Sequence, residues 1–442
     1  AILVAGQASL GFLGWWNPLS TMGLLLAVSL GCVFWAARVQ MFSLQRPLFA
    51  GWSVWEAGLL TALAAAFISR IWAAAGSNSF LYDAISYHLH FAATWMHSGQ
   101  LEIVPTVFGD LGPAYGASNV ELVSHALMSV FHSAYLAQAA QLPFLFIGLI
   151  ALVAAVRELG GTLAGALGGA LAFVLLPEVW GQSTNAMVDV ALASMLLATL
   201  PFLLRLSKNP TTADFGSLAL AVGLFLGTKT LALLFGLPLL AAGGWILWTH
   251  RCRIPGPVAT LGRSVVFLLL VIATGGFWYL RNWIVTGNPI FPVEVQIGAF
   301  TLFDGLYTSG TMRAWSKHYS VFDLDAFARV FLSAGAGFVF AGLAALVLRF
   351  RKAEFSLAAL LLLIAWFVIP YQRARFMLPF DAVLAVSLGA LSRLPGNRRI
   401  ASILLGIAIG SSLLLWPDWE RFGVLCIGVL GFFLPRVEKY FS

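Results

Sequence analysis

Long apolar stretches follow one another along the chain, and polar residues are confined to the gaps between them. Runs long enough to span a bilayer, or nearly so, fall at 1–16, 19–38, 53–75, 136–157, 160–178, 187–206, 264–285, 330–349, 355–371, 377–392, 399–416 and 421–435. A crossing takes about 20 residues of helix, so each run predicts one transmembrane helix. Residues 217–248 are too long for one crossing and barely enough for two. Their middle reads "FLGTKTLA", which predicts two short helices meeting at Gly227.

Charge placement tests that choice, because cytoplasmic loops of membrane proteins collect Lys and Arg. With the loop of Arg38 and Arg46 inside and two crossings in 217–248, five groups fall inside. These are Arg205/Lys208, Arg251/Arg253/Arg263, Arg349/Arg351/Lys352, Arg393/Arg398/Arg399 and Arg436/Lys439. A single crossing would turn the later groups outward. The run 117–135 carries Glu121, His125 and His132, and if it crossed, Arg157 would face outward. It is therefore expected as a half-inserted or interfacial helix. The expectation is an all-α polytopic membrane protein of about fourteen transmembrane helices, both ends inside, with external amphipathic helices after the third span.

Composition agrees with that class. Of 442 residues, 60% are hydrophobic and 10% charged, against about a quarter charged in a soluble domain. The net charge of +7 calls for no nucleic-acid partner, since inward-facing loops account for it. Cys32 and Cys426 lie in apolar runs and Cys252 in a basic loop, so neither a disulfide nor a thiolate metal site is expected. Residue 1 already stands inside an apolar run, so residues preceding Ala1 are expected, and no signal peptide is read.

The external polar mass gathers in residues 76–135 and 286–329. The chain is divided into three parts: extra N-terminal helices in 1–52, a transmembrane module in 53–249 with its first external loop at 76–135, expected to be the catalytic one from the resemblance given below, and a C-terminal module in 250–442 with a loop at 286–329. The first loop opens with "FLYDAISYHLHFAATWMHSGQ". On an α-helix Asp83, Tyr87 and His90 share one face, while His88 points away. Asp83 could equally cap that helix, and His88 and His90 diverge too far for a ligand pair. Asp189 stands at the outer start of a spanning helix, either as a complement to the helix dipole or with a partner of its own. Glu178 follows a proline and is expected in solvent. Lys229, Arg281, Arg373 and Arg375 are cations on the outer side. Each could snorkel to headgroups, and together they could surround a phosphate. Arg70, Arg313, Lys317, Arg329 and Arg421 are external too, in ordinary loops or helix ends.

These residues, in this order, resemble the integral-membrane glycosyltransferases of the C-type fold. That superfamily contains the protein O-mannosyltransferases and the lipid A aminoarabinose transferase, and the match is to its bacterial polyprenyl-phosphate-dependent members. "YDAISYHLHFAATWMHSGQL" resembles their first external loop, which implies that Asp83 is the catalytic acid–base residue. "STNAMVDVALA" resembles the segment of their second acid, here Asp189. "GLFLGTKTLALLFGLPLL", "WYLRNWIVTGNPIFP" and "RFMLPF" resemble three further segments, which implies substrate contacts from Lys229, Arg281, Asn282 and Arg375, with Tyr87 and His90 beside Asp83. The first loop has Asp-Ala where relatives carry an acidic pair, so the motif does not support a divalent metal, and no cofactor is assigned.

The resemblance implies transfer of a sugar from a polyprenyl-phosphate donor to a lipid, polysaccharide or protein acceptor. It places the enzyme in the bacterial inner membrane, with its site facing the periplasm and with inversion at the sugar. External cations and helix breaks would also suit a transporter or lipid flippase. Sixteen Trp and thirty-five Phe would suit an accessory subunit of a membrane complex.

Overall fold

The computed structural model describes residues 1–38, 52–76, 81–208, 211–249, 257–308, 310–311, 314, 328, 330–331, 335–349, 352–369, 373–393 and 398–414. The expected span 421–435 lies outside the described residues. So do Arg46, Arg251, Arg253, Arg313, Lys317, Arg329, Arg351, Arg421, Arg436, Lys439, Cys252 and Cys426.

Helix accounts for nearly all of what is described. The N-terminal pair is α1 (Ile2–Phe12) and α2 (Pro18–Arg38), followed by α3 (Val54–Gly76). A helical segment then carries a π-turn at Ala84–His88 and continues as α4 (Leu89–Ser98), α5 (Asn119–Phe131) and α6 (Ala134–Ala137). The central group is α7 (Leu142–Glu158), α8 (Leu163–Val174), α9 (Pro177–Gln182), α10 (Asp189–Lys208), α11 (Thr212–Leu226) and α12 (Ala232–Thr249). After it come α13 (Pro257–Val271), a π-turn at Ile272–Gly276, and α14 (Phe277–Thr286). The last four are α15 (Ala336–Arg349), α16 (Lys352–Leu363), α17 (Ala374–Ala390) and α18 (Arg398–Leu414). One departure from all-α is an antiparallel hairpin in the second external loop, β1 (Val295–Ile297) with β2 (Phe300–Phe303).

Among the described residues, five helical stretches are long and apolar enough to cross a bilayer: Val54–Ala74, Ala134–Glu158, Asp189–Lys208, Leu261–Thr286 and Ala374–Arg393. Of the other expected runs, those at 1–16, 19–38, 160–178, 330–349 and 355–371 contain shorter apolar helices. At 11 residues, α1 is about 16 Å long, roughly half the hydrocarbon thickness. The run 217–248 does break in two. α11 ends at Leu226, Gly227 caps it, and α12 starts at Ala232.

In lipid, apolar helices gain little from mutual burial, so close packing must come from small residues. α8 packs on α17 in this way. A Cβ on Gly169 would meet the Ala385 carbonyl at 2.7 Å, and one on Gly165 would meet the Gly389 carbonyl at 2.5 Å. α7 packs on α10, with a Cβ at Gly148 falling 2.6 Å from that of Ser194. These four helices form the closed centre, where α10 is buried without interruption from Asp189 to Pro201.

α10 also fixes the two ends of the bundle, since its 20 residues rise about 30 Å from Asp189 to Lys208. At the Lys208 end, Glu158 accepts from Arg205 at 2.9 Å and from Lys208 at 2.7 Å. Arg157 and Arg393 donate there to the carbonyls of Gly161 and Leu159. Arg157, Arg205, Lys208 and Arg393 therefore meet at the end of α10 remote from Asp189.

α5 corrects the interfacial expectation. Residues 119–126 are buried throughout, and its neighbours are protein: α1, α2 and α4. His125 stacks on Trp16 with ring centroids 3.8 Å apart, and its Nε2 stands 3.2 Å from the Ser129 hydroxyl. Of the polar residues that suggested a headgroup layer, Glu121 and His125 are buried within the protein, while His132 is exposed.

Candidate active site

Four side chains from distant parts of the chain meet at the Asp189 end of the bundle. Lys229 Nζ donates to Asp189 Oδ1 at 2.6 Å, and Arg375 Nη1 donates to Asp83 Oδ2 at 2.7 Å. Between the pairs, Arg375 Nε stands 3.8 Å from Asp189 Oδ2. That gap is too long for a hydrogen bond, and neither atom has another partner among the described residues. The result is a chain of alternating charge, Asp83–Arg375–Asp189–Lys229, left incomplete at its centre. Asp189 is fully enclosed, while the Asp83, Arg375 and Lys229 side chains are 19%, 22% and 21% exposed, so the network can be reached from one side. The Phe376 ring lies under both cations, 5.1 Å from Lys229 Nζ and 5.2 Å from the Arg375 guanidinium carbon.

Each position has a local cause. The Gly227 break presents Lys229, because the chain turns through Thr228–Leu231 between two helices. The Thr228 hydroxyl donates to the Phe225 carbonyl at 2.7 Å, and Ala232 N donates to the Lys229 carbonyl at 2.8 Å. α5 braces the break. Asn119 N donates to the Gly227 carbonyl at 2.8 Å, and its side-chain amide donates to the Thr274 carbonyl and accepts from Trp278 Nε1, both at 2.9 Å. This approach needs glycine, since a Cβ on Gly227 would collide with the Asn119 amide and one on Gly223 with the Thr274 hydroxyl. Asp189 is free for Lys229 because buried Gln141 serves the α10 terminus in its place. Gln141 accepts from Ala191 N at 3.1 Å and donates to the Gln182 carbonyl at 2.9 Å.

Asp83 makes no side-chain cap, although it precedes the π-turn. Burial works to raise its carboxyl, but the charge and hydrogen bond of Arg375, helped by His88 and Lys229, outweigh it and hold the carboxyl below its ordinary value. Tyr87 is pushed well above the ordinary phenol value, first by burial and then by the Asp83 charge, so it stays a neutral O–H.

The π-turn explains which neighbours of Asp83 miss the network. It adds a residue to one turn and rotates the rest of the helix by roughly 100°. His90 is carried off the Asp83 face. It is half-buried, with its ring 6.2 Å from that of Phe91, and it forms no hydrogen bond to the network. His88 is swung inward instead, where its Nδ1 stands 2.6 Å from Glu121 Oε1.

Arg281 and Asn282 also stay apart from the network. Arg281 Nη2 donates to the Ala114 carbonyl and to Asn282 Oδ1, both at 3.0 Å, and its guanidinium lies 4.8 Å from the Trp278 ring. Asn282 donates to the carbonyls of Tyr115 at 2.8 Å and Phe291 at 3.3 Å. Their partners are backbone groups of the two external loops, so the pair pins those loops together.

Other acids lie close by. Glu178 is half-buried rather than solvated. Burial raises its carboxyl against the lowering hydrogen bond from Gln182 Nε2, 2.9 Å away, and the Asp189 charge adds to the rise. Asp381, on the same helix as Arg375, is 1% exposed, and neither oxygen has a hydrogen bond among the described residues. It is absent from the sequence-based candidates, and a lone acid inside an apolar run is the signal that could have found it. Among the described residues no three His, Cys, Asp or Glu side chains are placed to hold a metal ion.

The chain is an integral membrane protein that shares its fold with solved structures, the C-type fold to which the sequence motifs were likened. Two crystal structures of ArnT from Cupriavidus metallidurans, a lipid A aminoarabinose transferase, share that fold at 16% identity. The one bound to undecaprenyl phosphate has a TM-score of 0.54 and covers 84% of this chain and 69% of its own. The apo structure has a TM-score of 0.51 and covers 81% and 63%. No protein-family model and no curated protein sequence matches the chain.

Proposed function

We propose that the protein is a membrane glycosyltransferase that moves a sugar from a polyprenyl-phosphate donor to an acceptor hydroxyl at the outer face of a bacterial inner membrane. The observation that carries this reading is the alternating network. Two carboxylates and two cations from four distant segments converge where helices meet solvent. A neighbour of the same fold binds undecaprenyl phosphate, and a lipid phosphate is the anion such a site would receive. About fourteen crossings would put the network on the periplasmic side.

In this reading the donor phosphate lies between Lys229 and Arg375 and takes over the bond that Arg375 makes to Asp83. Asp83 is released from Arg375 and accepts the proton of the acceptor hydroxyl as that oxygen attacks the anomeric carbon. The bond from that carbon to the phosphate oxygen breaks, and its electron pair leaves with the phosphate, whose new charge the two cations stabilise. Attack from the side opposite the leaving group inverts the centre. Asp189, fully enclosed, keeps Lys229 in place. The Tyr87 O–H is available to a sugar or phosphate oxygen. Arg281 and Asn282 hold the loops that close the site and do not grip phosphate directly, and His90 has no part in donor binding. The acceptor is a lipid, a polysaccharide or a protein.

The test is D83N in membranes supplied with polyprenyl-phosphate-linked sugars. Loss of transfer by about a hundredfold or more is expected for removal of a general base. Undiminished transfer removes Asp83 from the mechanism.

A further inference from the structure

The transfer chemistry leaves a second buried acid–base pair unused. His88 Nδ1 and Glu121 Oε1 are 2.6 Å apart, with side chains only 6% and 4% exposed. Such a pair is a costly way to hold two helices together, because both groups lose their water. Apolar side chains of similar volume usually do the same job as well or better. Here Glu121 Oε2 is also left without a hydrogen bond among the described residues. The placement of the pair suggests what it achieves. His88 ends the π-turn that begins beside Asp83, and Glu121 lies in the first turn of α5. Two residues before Glu121, Asn119 N binds the Gly227 carbonyl at 2.8 Å, and Gly227 is two residues from Lys229. One buried side-chain contact, 2.6 Å long, thus joins the segment bearing Asp83 to the segment bearing Lys229, through α5. π-turns are rare and persist where their surroundings hold them.

We propose that His88 and Glu121 form a positioning dyad, which fixes where Asp83 stands relative to the Lys229 cation and so sets turnover rather than donor binding. The proposal rests on the reading of Asp83 as the base. A displaced base slows the chemical step while leaving the phosphate contacts in place, and a shift of about 1 Å can cost up to about a hundredfold.

The experiment uses the purified full chain in lipid nanodiscs with a panel of undecaprenyl-phosphate-linked sugars, and it reads undecaprenyl phosphate released. E121Q and H88Q are each expected to lower kcat about tenfold or more with the donor KM within about threefold. E121D should recover part of the loss. In a D83E background, where the carboxylate is already displaced, E121Q should cost no more than about twofold, because the two changes act on one variable. Thermal unfolding within a few degrees of the parent shows that the variants fold. The dyad is overturned if E121Q turns over like the parent, if it slows D83E by the same factor as the parent, or if the loss lies in KM alone. A D83N variant as fast as the parent would overturn the base reading first and the dyad with it, a pattern distinct from an inactive D83N beside a fully active E121Q.

Discussion

Arg375 and Arg281 look alike in the sequence, each a cation on the expected outer side of an apolar helix. The fold gives them opposite surroundings. Arg375 is bound to the Asp83 carboxylate, 2.7 Å away, and is partly open to solvent. Arg281 is bound to a backbone carbonyl and an asparagine, and it rests against Trp278. An incoming phosphate can displace a carboxylate and inherit its charge-assisted bonds. It cannot displace a loop backbone without unfolding the loop. The difference separates a region that can exchange partners from one that can only hold.

Variants should split along that line. The largest effect, on stability and binding together, is expected for K229M, which leaves the fully enclosed Asp189 without its hydrogen-bonded cation and with only Arg375 Nε, 3.8 Å away, a change that costs about 3 kcal/mol. The double variant K229M/D189N should regain stability in thermal unfolding yet fail to bind undecaprenyl phosphate. Recovery of both would mean that Lys229 only neutralises Asp189. In the second region, N282A removes bonds to the Tyr115 and Phe291 carbonyls and an acceptor for Arg281. A loss of about 2–4 kcal/mol is expected from four bonds at roughly 0.5–1 kcal/mol each, with binding of undecaprenyl phosphate within about threefold of the parent. Weakened binding at unchanged stability would move Asn282 into the site.

Acid should separate the regions more gently. His125, on the helix that braces the Gly227 break, is held down to about 4 by burial, from an ordinary value of 6.5. The folded protein binds this proton less readily than the unfolded chain, so stability is complete above the unfolded value and falls as pH drops from 6.5 towards 4. At pH 5 the loss is at most about 2 kcal/mol, reduced by the attraction of an imidazolium to the Trp16 ring. Asp83 behaves in the other window. Its carboxyl lies below the ordinary value, so its contribution is present above about pH 4 and is lost only in stronger acid, as the pH falls through its folded value. Unfolding scans from about pH 7 to 5 should show a decline that H125N flattens and D83N leaves in place.

The parts that can be read from the sequence share a physical basis. The Gly227 break is legible because a bilayer has a fixed thickness, and the run 217–248 fits it only as two helices. Asp83, Asp189, Lys229 and Arg375 are legible as charges at the ends of apolar runs, where each needs a partner. The π-turn at Ala84–His88 is not, because an extra residue in one turn leaves no mark in hydropathy. That turn moves His90 off the face an α-helix would give it and brings His88 in. The sequence does not separate Arg281 and Asn282 from Arg375, because a helix end looks the same whether it faces a cavity or a carbonyl. α5 reads as interfacial because Glu121 and His125 are polar, and nothing local reveals that α1 and α2 would cover them.

The central claim is that the Asp83–Arg375–Asp189–Lys229 chain opens to receive the donor phosphate. A structure of the protein with undecaprenyl phosphate bound tests it most directly. The account predicts phosphate oxygens within hydrogen-bond distance of Lys229 Nζ and the Arg375 guanidinium, with the Asp83 carboxylate detached from Arg375. A phosphate seated elsewhere, with both ion pairs intact, would contradict it.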